Sequence, residues 1–161
     1  MQDITYSDFY TEKINKLTLQ EAFELHYKLN PQFTPYYKFE TPEGRSGIKA
    51  HDIIHVIFGC DTSFLGEHRV QTWFKYACVT NLSFMQKVKY FIDKDSRKLL
   101  TPTGLIKFIL THQSELKETS NRVKLQASKM TKKWDYFNEF PYLQKTIGEI
   151  RKEFNIQIIA N

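Results

Sequence analysis

The stretch that decides the fold is residues 47–77, GIKAHDIIHVIFGCDTSFLGEHRVQTWFKYA. Apolar residues recur at helical spacing in both halves of the stretch, and a short polar break starting at Gly59 separates the halves. A glycine followed by small polar residues ends one helix and caps the next. The stretch therefore predicts two neighbouring helices, one over about 47–58 and one beginning near Ser63.

The histidines of this stretch are spaced for metal binding. His51 and His55 lie four residues apart, so on a helix their imidazoles share one face, one turn apart. That spacing lets two histidines of one helix reach one metal ion. When the chain reverses at the break, Glu67, one turn into the second helix, comes to the level of His55. Asp52 projects about 100° around the helix from His51, and is either a further ligand or the acceptor of the outer N–H of a ligating imidazole.

The candidate site residues are therefore four metal ligands, His51, Asp52, His55 and Glu67. Imidazoles and carboxylates together suit a borderline ion. We expect a divalent metal, zinc in the first place, with iron as the main alternative. Beyond the metal ligands, the sequence identifies no catalytic residue.

Composition favours an all-α protein. The chain has 161 residues, of which 41% are hydrophobic and 15% aromatic, enough for a buried core in one domain. Only six glycines and five prolines occur, which is few for an all-β fold with many turns and suits helices joined by short loops. We therefore expect residues 1–161 to form a single compact helical domain of about six helices that binds metal.

The cysteines and the N-terminal residues bear on location. Cys60 and Cys78 are too few for a disulfide framework and lack the C-x-x-C spacing, which favours free thiols in a reducing compartment. The first residues lack the pattern of a secretory signal or a transit peptide, and no apolar run approaches the ~18 residues of a membrane span. We expect a cytoplasmic protein, or one lying peripherally on the inner face of a bacterial membrane.

The net charge of +5 is spread unevenly along the chain. Residues 75–133 carry thirteen Lys or Arg against four Asp or Glu, whereas the segments on either side are weakly acidic. This basic segment is either a solvated lysine-rich helix face or a surface for an anionic membrane or a phosphate-bearing ligand. Nucleic acid is not an expected partner, because the segment has only two arginines, Arg97 and Arg122, and no nucleic-acid-binding motif.

Four further helices are indicated by capping patterns and apolar periodicity. The first begins at the capping box Thr18 to Glu21 and ends before Pro31, and the second covers about 82–94. The last opens at Phe140-Pro141. The third opens at Thr101-Pro102, and its apolar stripe consists of Leu105, Phe108, Ile109, His112 and Leu116. Residues 31–47 hold three prolines, two glycines and four aromatic residues, which predicts a loop that packs against the domain. The tail 156–159 is either a short strand or a packed extension.

The remaining histidines are interpreted as structural. His26 and His112 lie on apolar helix faces, which is typical of core histidines with satisfied hydrogen bonds. His68 is interpreted as helix surface, with a place beside the metal ligands as the alternative. Cys60 belongs to the short connector between the two helices (residues 60–62) and could reach the site from there, but a small buried apolar role is the expectation.

The spacing of the four ligands resembles a known family motif. Two residues separate the pair His51-Asp52 from His55, and eleven residues separate His55 from Glu67. This pattern is similar to the motif of the coenzyme Q (ubiquinone) biosynthesis protein four family. The likeness covers roughly residues 50–77 and includes Phe58-Gly59, Thr62-Ser63, Leu65-Gly66 and Trp73-Phe74 around the ligands. It extends weakly to Trp134 and residues 150–156.

The resemblance implies an all-helical fold, a zinc-type site at the four matching residues and peripheral association with a membrane. It also implies binding of a prenylated aromatic precursor of ubiquinone, removal of its ring carboxylate with replacement by a hydroxyl, and contacts with other quinone-biosynthesis proteins. The enzyme class expected on this basis is a metal-dependent decarboxylase, a lyase acting on a polyprenylated hydroxybenzoate. Apolar residues that could line a groove for the isoprenoid tail, or else belong to the core, are Phe64, Trp73, Phe74, Phe108 and Ile109.

Three other functions remain open from the sequence. The pattern H-D-x-x-H has the spacing of the H-E-x-x-H metallopeptidase helix, with Asp52 in place of the glutamate that activates water. A His-Asp-type phosphohydrolase needs a further histidine and a distant aspartate, for which His26 and Asp93 or Asp135 are available. A non-enzymatic prenyl-lipid-binding or scaffolding protein would use the metal only to join two helices, and the basic segment to lie on an anionic membrane.

Overall fold

Seven α-helices form the part of the chain that a computed structural model describes, residues 4–93 and 111–159. They are α1 (Tyr6–Phe9), α2 (Leu19–Leu29), α3 (Pro42–Phe58), α4 (Phe64–Ala77), α5 (Phe84–Ile92), α6 (Gln113–Ala127) and α7 (Ile147–Phe154). Short stretches of 3-10 helix occur at Glu12–Lys16, Tyr36–Lys38 and Phe140–Tyr142. The all-α class predicted from the sequence is confirmed. Helix α1, a single turn of four residues, was not expected, and α6 begins at Gln113 and runs to Ala127, beyond the predicted stripe that ended at Leu116.

The helix that carries both histidines, α3, is longer than predicted. It begins at Pro42, where the hydroxyl of Thr41 accepts a hydrogen bond from the N–H of Gly44 at 2.9 Å. The prediction of a loop through all of 31–47 is therefore wrong from residue 42 onward, because a Thr-Pro pair supplies an N-cap and a proline at the first helical position. The helix ends, as predicted, at Gly59, whose φ of 65° is the left-handed conformation that glycine adopts readily.

Reciprocal capping boxes start α2 and α7. In α2, the side chain of Thr18 and the N–H of Glu21 are paired, as are the side chain of Glu21 and the N–H of Thr18, so the predicted box is confirmed. Thr146 and Glu149 form the same arrangement at the start of α7. The prediction that the last helix opens at Phe140-Pro141 is wrong. That segment forms only a 3-10 turn, because the following residues 143–145 use carbonyls to accept hydrogen bonds from the first turn of α2.

The turn between α3 and α4 is closely packed. Ser63 caps α4 by accepting a hydrogen bond from the N–H of Gly66 at 3.1 Å. A side chain at Gly66 would collide with this turn, since an added Cβ would lie 1.9 Å from the carbonyl oxygen of Asp61. The glycine therefore fixes the first turn of α4, and with it Glu67, against the connector.

Two strands of two residues each join the middle of the chain to its C-terminal part. They are β1 (Cys78–Val79) and β2 (Trp134–Asp135), which pair in parallel with Cys78 opposite Trp134. This pairing was not predicted from the sequence. Trp134 is fully buried beside Tyr142 and Phe154, with ring centroids at 5.0 and 5.3 Å, so β2 carries a large part of the C-terminal core.

The core lies where α2, α3, α4 and α7 meet, and the tail closes over it. Trp73 is fully buried and stacks on Phe58 with ring centroids 4.4 Å apart. The tail is a packed extension, the second of the two predicted alternatives, since Ile156 and Ile159 are each 7% exposed. The predicted helix start at Thr101-Pro102 lies outside the described residues.

Helix length also bears on how the chain could meet a membrane. Among the residues that the structure describes, none of the helices combines the length and apolarity that crossing a bilayer requires.

Candidate metal centre

Helices α3 and α4 bring three of the predicted ligands together. Glu67 Oε2 lies 3.2 Å from His51 Nε2, and Glu67 Oε1 lies 3.3 Å from His55 Nε2. One carboxylate therefore spans both imidazoles, whose ring centroids are 4.9 Å apart. The reversal at Gly59 places the first turn of α4 opposite the last two turns of α3, as the spacing predicted.

The outer nitrogens of both imidazoles are held by oxygen atoms. His55 Nδ1 lies 2.9 Å from the carbonyl oxygen of Cys60, and His51 Nδ1 lies 3.1 Å from Asp52 Oδ1. A carbonyl oxygen only accepts hydrogen bonds, so His55 Nδ1 carries a proton and donates. The Nε2 atoms of both rings consequently face Glu67, which is the orientation that metal-ligating histidines adopt.

Asp52 is buried beside His51, and both of its oxygens are engaged. Oδ1 is paired with His51 Nδ1, and Oδ2 accepts a hydrogen bond from the hydroxyl of Tyr27 at 2.5 Å. The pairing with Nδ1 corresponds to the outer-acceptor role that the sequence left open for Asp52. One ligand atom each from His51, Asp52 and His55 also lie within 4.8 Å of one another, which is close enough for all three to hold one ion. The alternative role of Asp52, as a metal ligand, therefore stays a prediction.

The charges around the cluster favour a cation. Burial alone would lower the pKa of His51, but hydrogen bonds to Asp52 and Glu67 and their negative charges outweigh burial and raise this pKa to about 10. Burial would likewise raise the pKa of the Glu67 carboxyl, yet the two imidazoles hold it well below its usual range. The pKa of Asp52 is also lowered, because the hydrogen bond and charge of His51 outweigh the effect of burial. The surroundings thus stabilise positive charge between His51 and Glu67.

The spacing of these atoms fits a shared metal ion. In a tetrahedral zinc site with bonds of about 2.0–2.1 Å, neighbouring ligand atoms lie roughly 3.3–3.4 Å apart. The contact of Glu67 Oε2 with His51 Nε2 and that of Oε1 with His55 Nε2, at 3.2 and 3.3 Å, place each oxygen at about this distance from one imidazole. The donor set and its spacing therefore suit a divalent ion.

A pocket of about 400 Å³ gives access to the cluster. His51, Asp52 and Glu67 lie on its wall, and the side chain of Glu67 remains 28% exposed. His55 is only 1% exposed and lies on the inner side of the cluster. Apolar side chains also line the pocket, among them Phe33, Phe39, Ile48 and Phe64. A site open on one side leaves a coordination position for a substrate, whereas a purely structural zinc site is closed by protein ligands.

The other candidate lining residues have different roles. Phe64 lines the pocket, but Trp73 belongs to the core, and Phe74 packs against Tyr136 with ring centroids 4.6 Å apart. Phe108 and Ile109 lie outside the described residues.

The other three histidines, His26, His68 and His112, differ from what the sequence predicted. His26 is fully buried, but neither ring nitrogen has a hydrogen-bond partner among the described residues, so it is not a satisfied core histidine. His112 is half-buried and not part of the core. His68 Nε2 lies 3.1 Å from the carbonyl oxygen of Leu116 and 2.8 Å from the hydroxyl of Ser120, so it joins α4 to α6 rather than lying free on the surface.

Cys60 is buried, and burial raises the pKa of its thiol to about 12, as expected for a small apolar side chain. Its part in the site comes from its backbone carbonyl, which accepts from His55 Nδ1 and was not predicted from the sequence. Tyr27 was also missed, because its place on the apolar face of α2 carries no spacing signal that points to Asp52.

The fold and the cluster define a helical protein with a histidine–aspartate–histidine group that could hold a metal ion. No protein-family model, no curated protein and no solved structure matches the chain.

Proposed function

We propose that the chain binds one divalent metal ion, zinc in the first place, through His51, His55 and Glu67, with Asp52 orienting His51. The observation that carries this proposal is that both Nε2 atoms face the two oxygens of one carboxylate, at 3.2 and 3.3 Å. The outer nitrogens of both rings are held by oxygens at the same time. This combination of inner and outer contacts is typical of histidines that bind metals.

We further propose that the substrate is a prenylated aromatic carboxylate of the kind used in ubiquinone biosynthesis. The motif from His51 to Glu67, with its resemblance to the coenzyme Q biosynthesis protein four family, supports this substrate. The pocket supports it as well, because about 400 Å³ is near the lower end of ligand pockets and suits an aromatic ring rather than a long tail. Rings of Phe33, Phe39 and Phe64 offer contacts to the substrate ring, and the tail would leave through the pocket mouth.

The reaction proposed is loss of the ring carboxylate as carbon dioxide. The bond between the ring and the carboxyl carbon breaks, its electron pair stays on the ring carbon, and a proton from a solvent water takes the place of the carboxylate. When bound, the metal supplies a positive centre for the substrate's carboxylate or phenolate and for the charge that develops on the ring. Asp52 and the Cys60 carbonyl keep the two imidazoles aligned, and the aromatic residues that line the pocket contact the substrate ring. Replacement by a hydroxyl would additionally require oxygen or another electron acceptor and, because zinc has no redox chemistry, either iron or an external oxidant.

The contacts of the aspartates bear on the two hydrolase alternatives. A metallopeptidase needs the acid between the histidines to activate water, but both oxygens of Asp52 are already engaged by His51 and Tyr27. A His-Asp-type phosphohydrolase needs a distant aspartate at the metal, and Asp135, one of the two candidates, accepts a hydrogen bond from Asn81 at 2.7 Å.

Three measurements on the protein purified from its own host test the proposal. They are elemental analysis, mass spectrometry of bound lipids and a turnover assay. We expect about one zinc or iron per chain, a copurifying prenylated benzoate, and release of carbon dioxide from that compound that a chelator abolishes. The variant His51→Ala should lose metal and turnover together. Metal and lipid without turnover would favour a non-enzymatic lipid-binding or scaffolding protein at a membrane with other quinone-biosynthesis proteins. A chain with neither would contradict the proposal.

A further inference from the structure

Helix α2 packs against α3 and places two consecutive residues, His26 and Tyr27, beside the histidines of the proposed metal centre. We infer that Tyr27 and His26 are positioning residues, of which Tyr27 sets the orientation of His51 and His26 sets that of His55. The inference rests on the proposed function of this cluster. It assigns to α2 a role in metal affinity that its sequence does not indicate.

Tyr27 acts on His51 through Asp52. The Tyr27 hydroxyl donates to Asp52 Oδ2 at 2.5 Å, and Asp52 Oδ1 lies 3.1 Å from His51 Nδ1. The same hydroxyl accepts a hydrogen bond from the N–H of Tyr36 at 3.3 Å, so its proton is directed at the carboxylate. The phenol therefore fixes the rotation of Asp52, and the carboxylate in turn fixes the ring of His51.

His26 acts on His55 by direct ring contact. The two imidazoles stack with centroids 5.6 Å apart and planes inclined by 26°. Rings of Phe9, Tyr10 and Phe33 surround the other sides of His26 at 6.0–6.4 Å. A ring held in this way limits rotation of the His55 ring, whose Nδ1 is already anchored at Cys60.

The proposed role of His26 depends on the shape of its ring and not on hydrogen bonds of its nitrogens. Both ring nitrogens are buried without a hydrogen-bond partner among the described residues, and such groups are costly to bury. A phenylalanine would fill the same aromatic surroundings without that cost. The shape that the site requires there is a flat ring against His55, which either residue supplies.

The variant Tyr27→Phe, which removes only the hydroxyl, tests the inference. We expect zinc to bind about tenfold to a hundredfold more weakly, the usual effect of removing an outer partner of a ligand. Competition with a chromophoric chelator measures the dissociation constant, and the visible absorption of the cobalt-substituted protein reports a change in ligand geometry. Tyr37→Phe is the matched control, because Tyr37 is 62% exposed and should leave both readouts unchanged.

A double-mutant cycle with Asp52→Asn separates positioning from general destabilisation. Because Tyr27 acts through Asp52, adding Tyr27→Phe to Asp52→Asn should weaken zinc binding no further. Thermal unfolding and circular dichroism show whether each variant is folded, and only folded variants are compared. When Tyr27→Phe does not fold, the zinc affinity of Asp52→Asn alone tests whether the outer partner of His51 matters. For His26, the variant His26→Phe should bind zinc within about threefold of the wild type, whereas His26→Ala should lose about tenfold or more.

Wild-type affinity in Tyr27→Phe, or effects of Tyr27→Phe and Asp52→Asn that add, would overturn the role of Tyr27. Equal affinities of His26→Ala and His26→Phe would overturn the role of His26. These results differ from failure of the proposed function, in which the wild-type chain itself would bind no zinc.

Discussion

The guanidinium of Arg151 donates a hydrogen bond from Nε to the carbonyl of Ile57 at 2.9 Å and thereby closes the end of the helix that carries both site histidines. Further hydrogen bonds run from Nη2 to the carbonyl of Val56 at 3.1 Å and from Nη1 to the carbonyl of Thr11 at 3.0 Å. Burial lowers the pKa of Arg151 to about 10, so it remains charged at neutral pH. A cation at the C-terminal end of a helix is favourable for the helix dipole.

Replacing Arg151 by methionine should destabilise the protein strongly. The change leaves buried carbonyls at the end of α3 without donors, and we expect the free energy of unfolding to fall by about 3 kcal/mol, as for other buried groups that lose their partners. Urea unfolding followed by circular dichroism measures this quantity. Arg122→Met is the matched control on an exposed position and should stay within about 0.5 kcal/mol of the wild type. Equal effects of the two substitutions would refute the capping role.

The variant Gly66→Ala should reduce both stability and zinc affinity. Its Cβ would lie 1.9 Å from the carbonyl oxygen of Asp61, so the first turn of α4 must move away from the connector. We expect a loss of about 2 kcal/mol of unfolding free energy, typical of overpacking, with Glu67 displaced from the imidazoles. Urea unfolding and a zinc titration check the two effects. An alanine variant with wild-type stability would contradict the close packing of this turn.

Zinc should stabilise the wild-type protein but not the variant His55→Ala. At free zinc about a hundredfold above the dissociation constant the expected gain is about 2.7 kcal/mol, or roughly 5–10 °C in Tm for a chain of this size. His55→Ala should keep most of its helical circular dichroism, because the caps of α3 do not involve that side chain. His68→Ala is the control, since His68 lies beside Glu67 in sequence but bonds to α6. Zinc stabilisation that survives in His55→Ala would argue for another site.

Zinc uptake should release at least one proton per ion at pH 7. The carboxylates raise the pKa of His51 to about 10, so in the absence of zinc this imidazole holds a proton at neutral pH that must leave when the metal binds. The zinc-free protein thus binds more protons than the zinc-bound protein, and a rise in pH favours zinc. Between about pH 6 and pH 8 the apparent dissociation constant should fall about tenfold per pH unit. Calorimetry in buffers of different ionisation enthalpy measures the proton count, and an affinity independent of pH would contradict the assignment.

The meeting of His51 and His55 with Glu67 could be predicted because its determinants are local. Helical periodicity aligns the two imidazoles, and a break at Gly59 turns the next helix back within a few residues. The start of α3 was missed for a related reason. Three prolines and two glycines in 31–47 indicated a loop, although Thr41-Pro42 is itself a helix-start pattern.

The contributions of α2 and β2 could not be predicted, because they depend on distant parts of the chain. Tyr27 reaches Asp52 across 25 positions of sequence, and no spacing rule links a residue on one helix to a carboxylate on the next. The same holds for the pairing of β1 with β2, where two residues on each side are too short to show a strand pattern. Such contacts become visible only when the core has fixed how the helices pack.

The most direct test of the central claim is a crystal structure of the zinc-loaded protein. Anomalous scattering locates the zinc in it. We expect one strong peak per chain, about 2.0–2.2 Å from His51 Nε2, His55 Nε2 and an oxygen of Glu67, with the fourth position facing the pocket. Crystals of Glu67→Gln grown under the same conditions should show a weak peak or none. A peak bound elsewhere on the chain, with the Nε2 atoms of His51 and His55 still facing only the Glu67 carboxylate, would contradict the account.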